Sequence, residues 1–228
     1  MSVEERAPLT RERVLAAAMR VVDAEGIKAL TMRRLGAELG VEAMSLYHHL
    51  PGKEALLDGL ADALIAEIQA EAALRVDAAG WKERLRQTFL AARVVMLRHP
   101  WAPGMLGART TVPARLFAYY DGIVGTMTGG GLSHRLAHRA VHAFGTMALG
   151  FTQELFRPEA AGGAADVDAA EADLTAMAAA LPHLTAMVAA EAHDAADPVL
   201  GWCDGQTEFE FTLALILDGL ERGAAGQR

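Results

Sequence analysis

Apolar residues recur at helical spacing through the first seventy positions and predict four helices. Thr10 is a good N-cap for the first helix and Gly26 a natural stop, with apolar positions at Val14, Ala17, Ala18, Val21 and Val22. A second helix is predicted over residues 31–40 and a short third one over 43–49. A long amphipathic helix then starts at Lys53. The pattern indicates three short helices joined by tight turns, followed by a long one.

The rest of the chain continues the helical pattern, and no stretch alternates with the period of a strand. The further predicted helices cover residues 81–98, 113–126, 133–156, 174–192 and 205–222. Residues 158–173 are rich in Ala, Gly and Asp and predict a loop. We therefore expect an all-α protein, with a three-helix N-terminal domain over residues 1–65 and a larger helical domain over 66–228.

Composition narrows the possible function classes. The longest apolar stretches are too short to cross a bilayer, and residues 1–9 lack the apolar core of a signal peptide. Cys203 is the single cysteine, which excludes an intramolecular disulfide and a cysteine zinc cluster. These features indicate a cytoplasmic protein without membrane contact. The net charge of −8 comes mainly from residues after 60, because the first sixty carry 8 Lys/Arg against 9 Asp/Glu.

Residues 31–50, TMRRLGAELGVEAMSLYHHL, have the arrangement of a helix-turn-helix: a helix, a glycine-centred turn and a second short helix. Gly40 suits the turn, since glycine adopts positive φ without steric cost. Arg33 and Arg34 begin the first of these helices, where cations and backbone N–H groups can hold a phosphate. Leu46 and Leu50 are left to anchor the second helix. On this pattern alone, an ordinary corner between two helices is about as plausible as a DNA-binding element.

Residues 30–60, LTMRRLGAELGVEAMSLYHHLPGKEALLDGL, closely resemble the DNA-binding domain of the tetracycline repressor (TetR) family. The resemblance rests on the L-T-x-R-x-L start, the L-G-V turn, the L-Y-x-H reading helix and the G-K-x-x-L-L-D entry to the fourth helix. A weaker resemblance to the family's ligand-binding and dimerisation domain is carried by residues 99–103 and by FEFTLALILDGLE at residues 209–221.

The resemblance implies roles for individual residues. Thr31, Arg33 and Arg34 are expected to contact phosphate or bases from the second helix, and Lys53 a phosphate from the fourth. The expected contacts of the third helix are Ala43, Met44, Ser45, Tyr47, His48 and His49. Ala43, Met44 and His48 stand where tetracycline repressors have Gln, Pro and Trp. Ala43 can offer a base only an apolar contact, so a different operator is expected.

A repressor of this type also implies an apolar cavity for a small effector. The aromatic and soft residues of the second domain are more often core than pocket, and these include Trp81, Trp202, Tyr119, Phe144 and Phe151. Our candidate effector ligands are His99, Trp101, Arg109, Phe117, Tyr120, His138, His142 and Met147. No cofactor and no metal is expected.

His134, His138 and His142 lie four residues apart, so one face of a helix carries three imidazoles. That spacing permits a metal site and a rival function, a helical metal-dependent enzyme. No phosphate-binding loop or nucleophile elbow accompanies it. We therefore favour the function that the resemblance implies, a homodimeric, ligand-responsive repressor of double-stranded operator DNA. The resemblance to the family also implies that residues 133–156 and 205–222 form its dimer interface.

Overall fold

The computed structural model describes residues 8–74, 80–109, 112–151, 180–183, 185–186 and 205–226. Within these ranges the chain is helical and contains no strand, so the predicted all-α class is confirmed. The predicted loop 158–173, most of the predicted helix 174–192, Trp202 and Cys203 lie outside the described residues. No described helix is long and apolar enough to pass through a bilayer.

The helices follow the order that the apolar pattern predicts, with one addition. They are α1 (Arg11–Glu25), α2 (Met32–Leu39), α3 (Ala43–Tyr47), α4 (Lys53–Ala73), α5 (Trp81–Arg98), α6 (Ala102–Gly107), α7 (Ala114–Gly129), α8 (His134–Gly150) and α9 (Gly205–Ala225), with a 3₁₀ turn at Ile27–Ala29. Helix α6 was not predicted. It is six residues long and contains Pro103 and Gly104, too short a segment to show a period.

Side-chain caps fix where three of the helices begin. Thr10 Oγ1 accepts a hydrogen bond from the Arg13 amide (3.2 Å), and Thr31 Oγ1 accepts one from the Arg34 amide (3.0 Å). Ser133 Oγ does the same for the Leu136 amide (3.3 Å). Each bond satisfies one of the amides that a helix leaves unpaired in its first turn. All three predicted N-caps are therefore confirmed.

Contacts divide the chain into two compact units, Met1–Thr152 with Leu213–Arg228, and Gln153–Thr212. The first unit contains the core against which α3 packs. The buried side chains of α1 and α4 pack there with Leu35 of α2, with Leu46 of α3 and with Leu50 just after it. Helix α4 runs along both α1 and α5. Residues 205–212 are the part of α9 that belongs to the second unit.

Two glycines shape the turns on either side of α3. Gly40 ends α2 with φ 65° and ψ 36°, the left-handed conformation that the sequence predicts. Gly52 precedes α4 with φ 105° and ψ −179°, a region that essentially only glycine occupies. Asparagine tolerates the first conformation but no side chain tolerates the second.

We expect Gly52→Ala to lower the free energy of unfolding by about 1–2 kcal/mol, because the alanine is strained whatever space surrounds it. Apart from Gly52 itself and its two chain neighbours, no described atom lies within 4 Å of the position the alanine Cβ would take, so steric overlap with the rest of the fold adds nothing. Gly40→Asn, the matched control, should cost a few tenths of a kcal/mol. Urea titrations of both variants measure this, and equal losses would contradict the backbone argument.

Candidate nucleic-acid interface and ligand cavity

Helix α3 buries one side and exposes the other. Leu46 and Leu50 are buried in the core, whereas Met44 is 74% exposed and Tyr47 is 46% exposed. His48 is also exposed, and the remaining predicted reading residues, Ala43, Ser45 and His49, are half-buried. A helix of five residues held by two leucines thus presents an aromatic ring, an imidazole and a thioether to solvent.

The close approach of α2 to the turn fixes the angle at which α3 is presented. The Val41 amide donates a hydrogen bond to the Gly36 carbonyl (2.9 Å). A Cβ on Gly36 would lie 2.8 Å from Val41 O and 3.2 Å from the Ala43 amide nitrogen, and both neighbours are backbone. Helices α2 and α3 can therefore approach each other this closely only because residue 36 has no side chain.

Two cations flank α3 without a carboxylate partner. Arg33 on α2 and Lys53 at the start of α4 are both exposed, and neither forms an ion pair with any described residue. Thr31 is exposed as well, with its hydroxyl occupied as the cap of α2. The guanidinium and the ammonium group are thus available to phosphate oxygens on either side of the reading helix.

Arg34, the neighbour of Arg33, has different surroundings. Its guanidinium donates to Glu25 Oε1 (2.6 Å) and to Glu38 Oε2 (3.1 Å). The hydrogen bond from Arg34 lowers the pKa of the Glu25 carboxyl, and both carboxylates raise the pKa of Arg34. The sequence predicted a phosphate contact here, but the structure joins Arg34 to the C-terminal end of α1. A phosphate would have to compete with two carboxylates.

An apolar cavity of about 120 Å³ lies among helices α4, α5, α7 and α8. Leu106 of α6 closes part of its wall. The Phe89 and Phe144 rings are stacked, with their centroids 4.3 Å apart, and both line the cavity. Among the described residues that line it, the only polar side-chain groups are the hydroxyls of Tyr119 and Tyr120.

Comparison with known proteins relates the exposed face of α3 and the apolar cavity to one protein family. Residues 14–60 match the family described as bacterial regulatory proteins, tetR family, and residues 76–223 match the tetracyclin repressor-like C-terminal domain. Over 220 residues the chain is 33% identical to the class A tetracycline repressor of transposon 1721 from Escherichia coli, covering 92% of this chain and 89% of that protein. The chain belongs to the TetR family. The match over residues 14–60 includes α2 and α3, which are the helix-turn-helix of the family's N-terminal domain.

Other TetR proteins resemble it over different lengths. The repressor DrrR1 of Streptomyces coeruleorubidus is 40% identical over 93 residues, which are 41% of this chain and 34% of that protein. The chain thus spans about a third of that relative. Apo ActR of Streptomyces coelicolor superposes with a TM-score of 0.75 at 25% identity, covering 97% of this chain and 99% of ActR. The complex of ActR with actinorhodin gives a TM-score of 0.73 at 27% identity, covering 96% and 99%.

Among the effector ligands that the TetR resemblance led us to expect, only Tyr120 lines the cavity. Met147 is buried on α8 without lining it. Phe117 is 61% exposed on α7, and His138 and His142 are exposed on α8. These side chains lie on other faces of the helices that surround the cavity.

His99 and Trp101 are placed elsewhere. His99 is 4% exposed and lies between two carboxylates, with Nδ1 2.7 Å from Asp23 Oδ1 and Nε2 3.0 Å from Glu67 Oε2. Trp101 Nε1 donates to the same Asp23 oxygen (2.7 Å). Asp23 belongs to α1 and Glu67 to α4, so His99 joins these two helices to the start of α6.

Arg109 makes a similar connection at the other end of α6. Its side chain is 6% exposed and forms ion pairs with Asp58 and with Glu54, the latter at 3.3 Å. Both acids lie in the first two turns of α4. Arg109 thus ties the segment after α6 to the helix that begins at Lys53.

The sequence missed Tyr119 and Leu106 as cavity residues. Tyr119 stood in the predicted set of core aromatics, and nothing in its spacing separates a ring that faces a void from one packed on all sides. Leu106 belongs to α6, the helix that was not predicted. Whether a side chain lines a cavity depends on how the helices pack together, so no local sequence signal could have identified either residue.

The histidine stripe does not assemble a metal site within the described part of the chain. His134, His138 and His142 are exposed, and the His138 and His142 rings meet edge to face with centroids 4.8 Å apart. No three His, Cys, Asp or Glu side chains converge there as ligands. Nothing in the comparisons supports the rival enzyme.

Proposed function

We propose that the chain is a homodimeric repressor that binds a pseudo-palindromic operator and leaves it when a small molecule occupies the apolar cavity. The observation that carries this proposal is α3, a short helix with two buried leucines and an exposed face of Met44, Tyr47 and His48. In a dimer, two such helices would enter successive major grooves about 34–36 Å apart. The resemblance to ActR bound to actinorhodin supports the role of a small effector.

Release would follow from a population shift. An effector weakens DNA binding only to the extent that it binds the non-reading conformation more tightly. Helix α4 contributes Lys53 at one end and the cavity residues Ile65 and Ile68 further along, so one rigid element belongs to both sites. The family matches at residues 14–60 and 76–223 support a domain boundary near residue 65, inside this helix.

The dimer would form through α8 and α9. Leu215 is 53% exposed on α9, and exposed large apolar side chains are typical of a surface that a partner covers. A protein that binds operator DNA must be in the same compartment as that DNA, so we infer that the protein is cytoplasmic. The proposed regulator role does not require the exposed histidine stripe to act as a catalytic centre. We therefore infer that the chain is not an enzyme.

Salt dependence of operator binding tests the proposed phosphate contacts. The slope of log K against log salt changes by about 0.9 for each phosphate contact on duplex DNA, and a homodimer loses two contacts per substitution. We expect Arg33→Ala and Lys53→Ala each to reduce the slope by about 1.8. Mobility shifts at several salt concentrations, on the DNA flanking the chain's own gene, provide the measurement.

Two control variants accompany this test. Arg84→Ala removes an equal charge from the exposed surface of α5, away from α2 and α3, and should leave the slope unchanged. Arg34→Ala should change the slope less than Arg33→Ala does, because Glu25 and Glu38 already neutralise Arg34. If the slopes of both Arg33→Ala and Lys53→Ala equal that of the wild type, neither side chain makes the proposed phosphate contact.

A further inference from the structure

The cavity walls indicate which chemical class of effector can enter. Apart from two tyrosines, every described side chain that lines the cavity is a hydrocarbon, a thioether or glycine, and no charged side chain is among these described residues. Arg93 is the buried cation of α5, but it is not a lining residue, and its guanidinium lies 6.0 Å from the centre of the Phe151 ring. An ion placed in this cavity would lose its hydration, and the described lining residues would offer it no counterion.

Tyr119 supplies an unused donor. Its hydroxyl oxygen is buried, and no described residue offers it a hydrogen-bond partner. Burial raises the pKa of Tyr119 well above its ordinary value, so the hydroxyl stays protonated and can donate. A buried donor without an acceptor is costly, which favours a bound group that provides one.

Tyr120 is a second and less enclosed hydroxyl. Burial raises the pKa of Tyr120 as well, so it also stays neutral. Its oxygen lies 4.0 Å from the position that a Cβ would take on Gly145, another lining residue of α8. The polar groups that the described residues bring to the cavity are therefore a pair of neutral phenols on adjacent residues of α7.

The size of the void and its aromatic wall limit the occupant further. A cavity of about 120 Å³ is close to the size that accepts one benzene ring. The stacked pair of Phe89 and Phe144 offers ring faces and edges against which a flat molecule can pack.

We propose that the effector is an uncharged ring compound with a carbonyl-type acceptor, which accepts a hydrogen bond from Tyr119 Oη. This inference rests on the proposed function, because it names the class of molecule that would relieve repression. It requires no metal ion between protein and effector. The apolar walls supply affinity, and the single hydrogen bond orients the ring.

Three one-ring probes of similar size separate these features: acetophenone, ethylbenzene and benzoate. Acetophenone has a ring and a carbonyl, ethylbenzene has the ring without an acceptor, and benzoate has the acceptors with a charge. We expect the full-length protein to bind acetophenone about threefold to tenfold more tightly than ethylbenzene, the effect of one net hydrogen bond. Benzoate should bind at least tenfold more weakly than acetophenone. NMR titrations give the three dissociation constants.

Tyr119→Phe is the decisive variant, because it removes one oxygen and keeps the ring. The preference for acetophenone over ethylbenzene should disappear, while the ethylbenzene constant stays unchanged and reports that the cavity is intact. Tyr47→Phe makes the same change on the reading helix and should leave all three constants as in the wild type. A retained preference in Tyr119→Phe, equal binding of benzoate, or no binding of either neutral probe would overturn the inference.

A mobility shift on operator DNA, run on the same samples, separates this inference from the function on which it rests. If the protein binds operator DNA but shows no preference for acetophenone over ethylbenzene, the proposed regulator role stands and the proposed class of effector is wrong. Failure to bind the flanking DNA would remove the repressor role, whereas the probe series would still measure the chemistry of the cavity.

Discussion

Gly36→Val is expected to abolish operator binding and to lower the free energy of unfolding by about 2–3 kcal/mol. The first side-chain carbon would lie 2.8 Å from the Val41 carbonyl oxygen, an approach that Cβ atoms essentially never show. The neighbours are backbone atoms, so no side chain can rotate away. Helix α3 would have to move relative to α2, and the exposed face of α3 would no longer fit the groove.

Gly125→Val is the matched control for this substitution. Gly125 is an exposed residue inside α7, and apart from its chain neighbours and the nearby backbone of its own helix no described atom lies within 4 Å of a Cβ placed there. It should retain operator binding, with a stability close to that of the wild type. Urea titration and mobility shift apply to both variants. Full operator affinity in Gly36→Val would show that the angle between α2 and α3 is not set at this contact.

His99→Ala is expected to cost about 2–3 kcal/mol of stability, the largest effect of any polar substitution proposed for this chain. Both ring nitrogens face carboxylate oxygens, at 2.7 Å from Asp23 Oδ1 and 3.0 Å from Glu67 Oε2. Removing the imidazole leaves Asp23 and Glu67 without their shared donor. The partial exposure of the two acids keeps the loss below that of a fully buried pair.

The control is the adjacent residue. Arg98 contacts Glu67 at 3.6 Å and Glu71 at 3.4 Å, but its side chain is 53% exposed. Exposed pairs of this kind contribute little, and Arg98→Ala should cost less than about 1 kcal/mol. Thermal unfolding of the two variants provides the comparison. A loss for Arg98→Ala as large as that for His99→Ala would contradict the assigned importance of burial.

The outline of the fold was predictable because it depends on local chemistry. Thr10, Thr31 and Ser133 cap their helices, and Gly40 adopts the left-handed conformation that its turn requires. Each of these features is determined by a residue and its nearest neighbours in sequence. Helix α6 was not predicted because a six-residue element with an internal glycine depends on tertiary contacts more than on propensity.

The candidate site was predictable only in part, for a related reason. The exposed face of α3 follows from the spacing of Leu46 and Leu50, which can be read along one helix. The partners of Arg34, His99 and Arg109 are distant in the chain, apart from Glu38, which follows Arg34 by four residues. Glu25 lies nine residues from Arg34, and the partners of His99 and Arg109 lie thirty-two to seventy-six residues away. No local pattern identifies these distant partners. The sequence shows which side chains are charged, but only the packed structure shows which oppositely charged side chain each of them contacts.

The ion pairs of Arg34 bear on how the protein would search a chromosome. Affinity for random-sequence DNA comes from counterions that cationic side chains displace, and a guanidinium already neutralised by Glu25 and Glu38 displaces few. With Arg33 and Lys53 as the flanking cations, the bulk genome would retain little of the protein. A small number of copies would then suffice to keep one operator occupied.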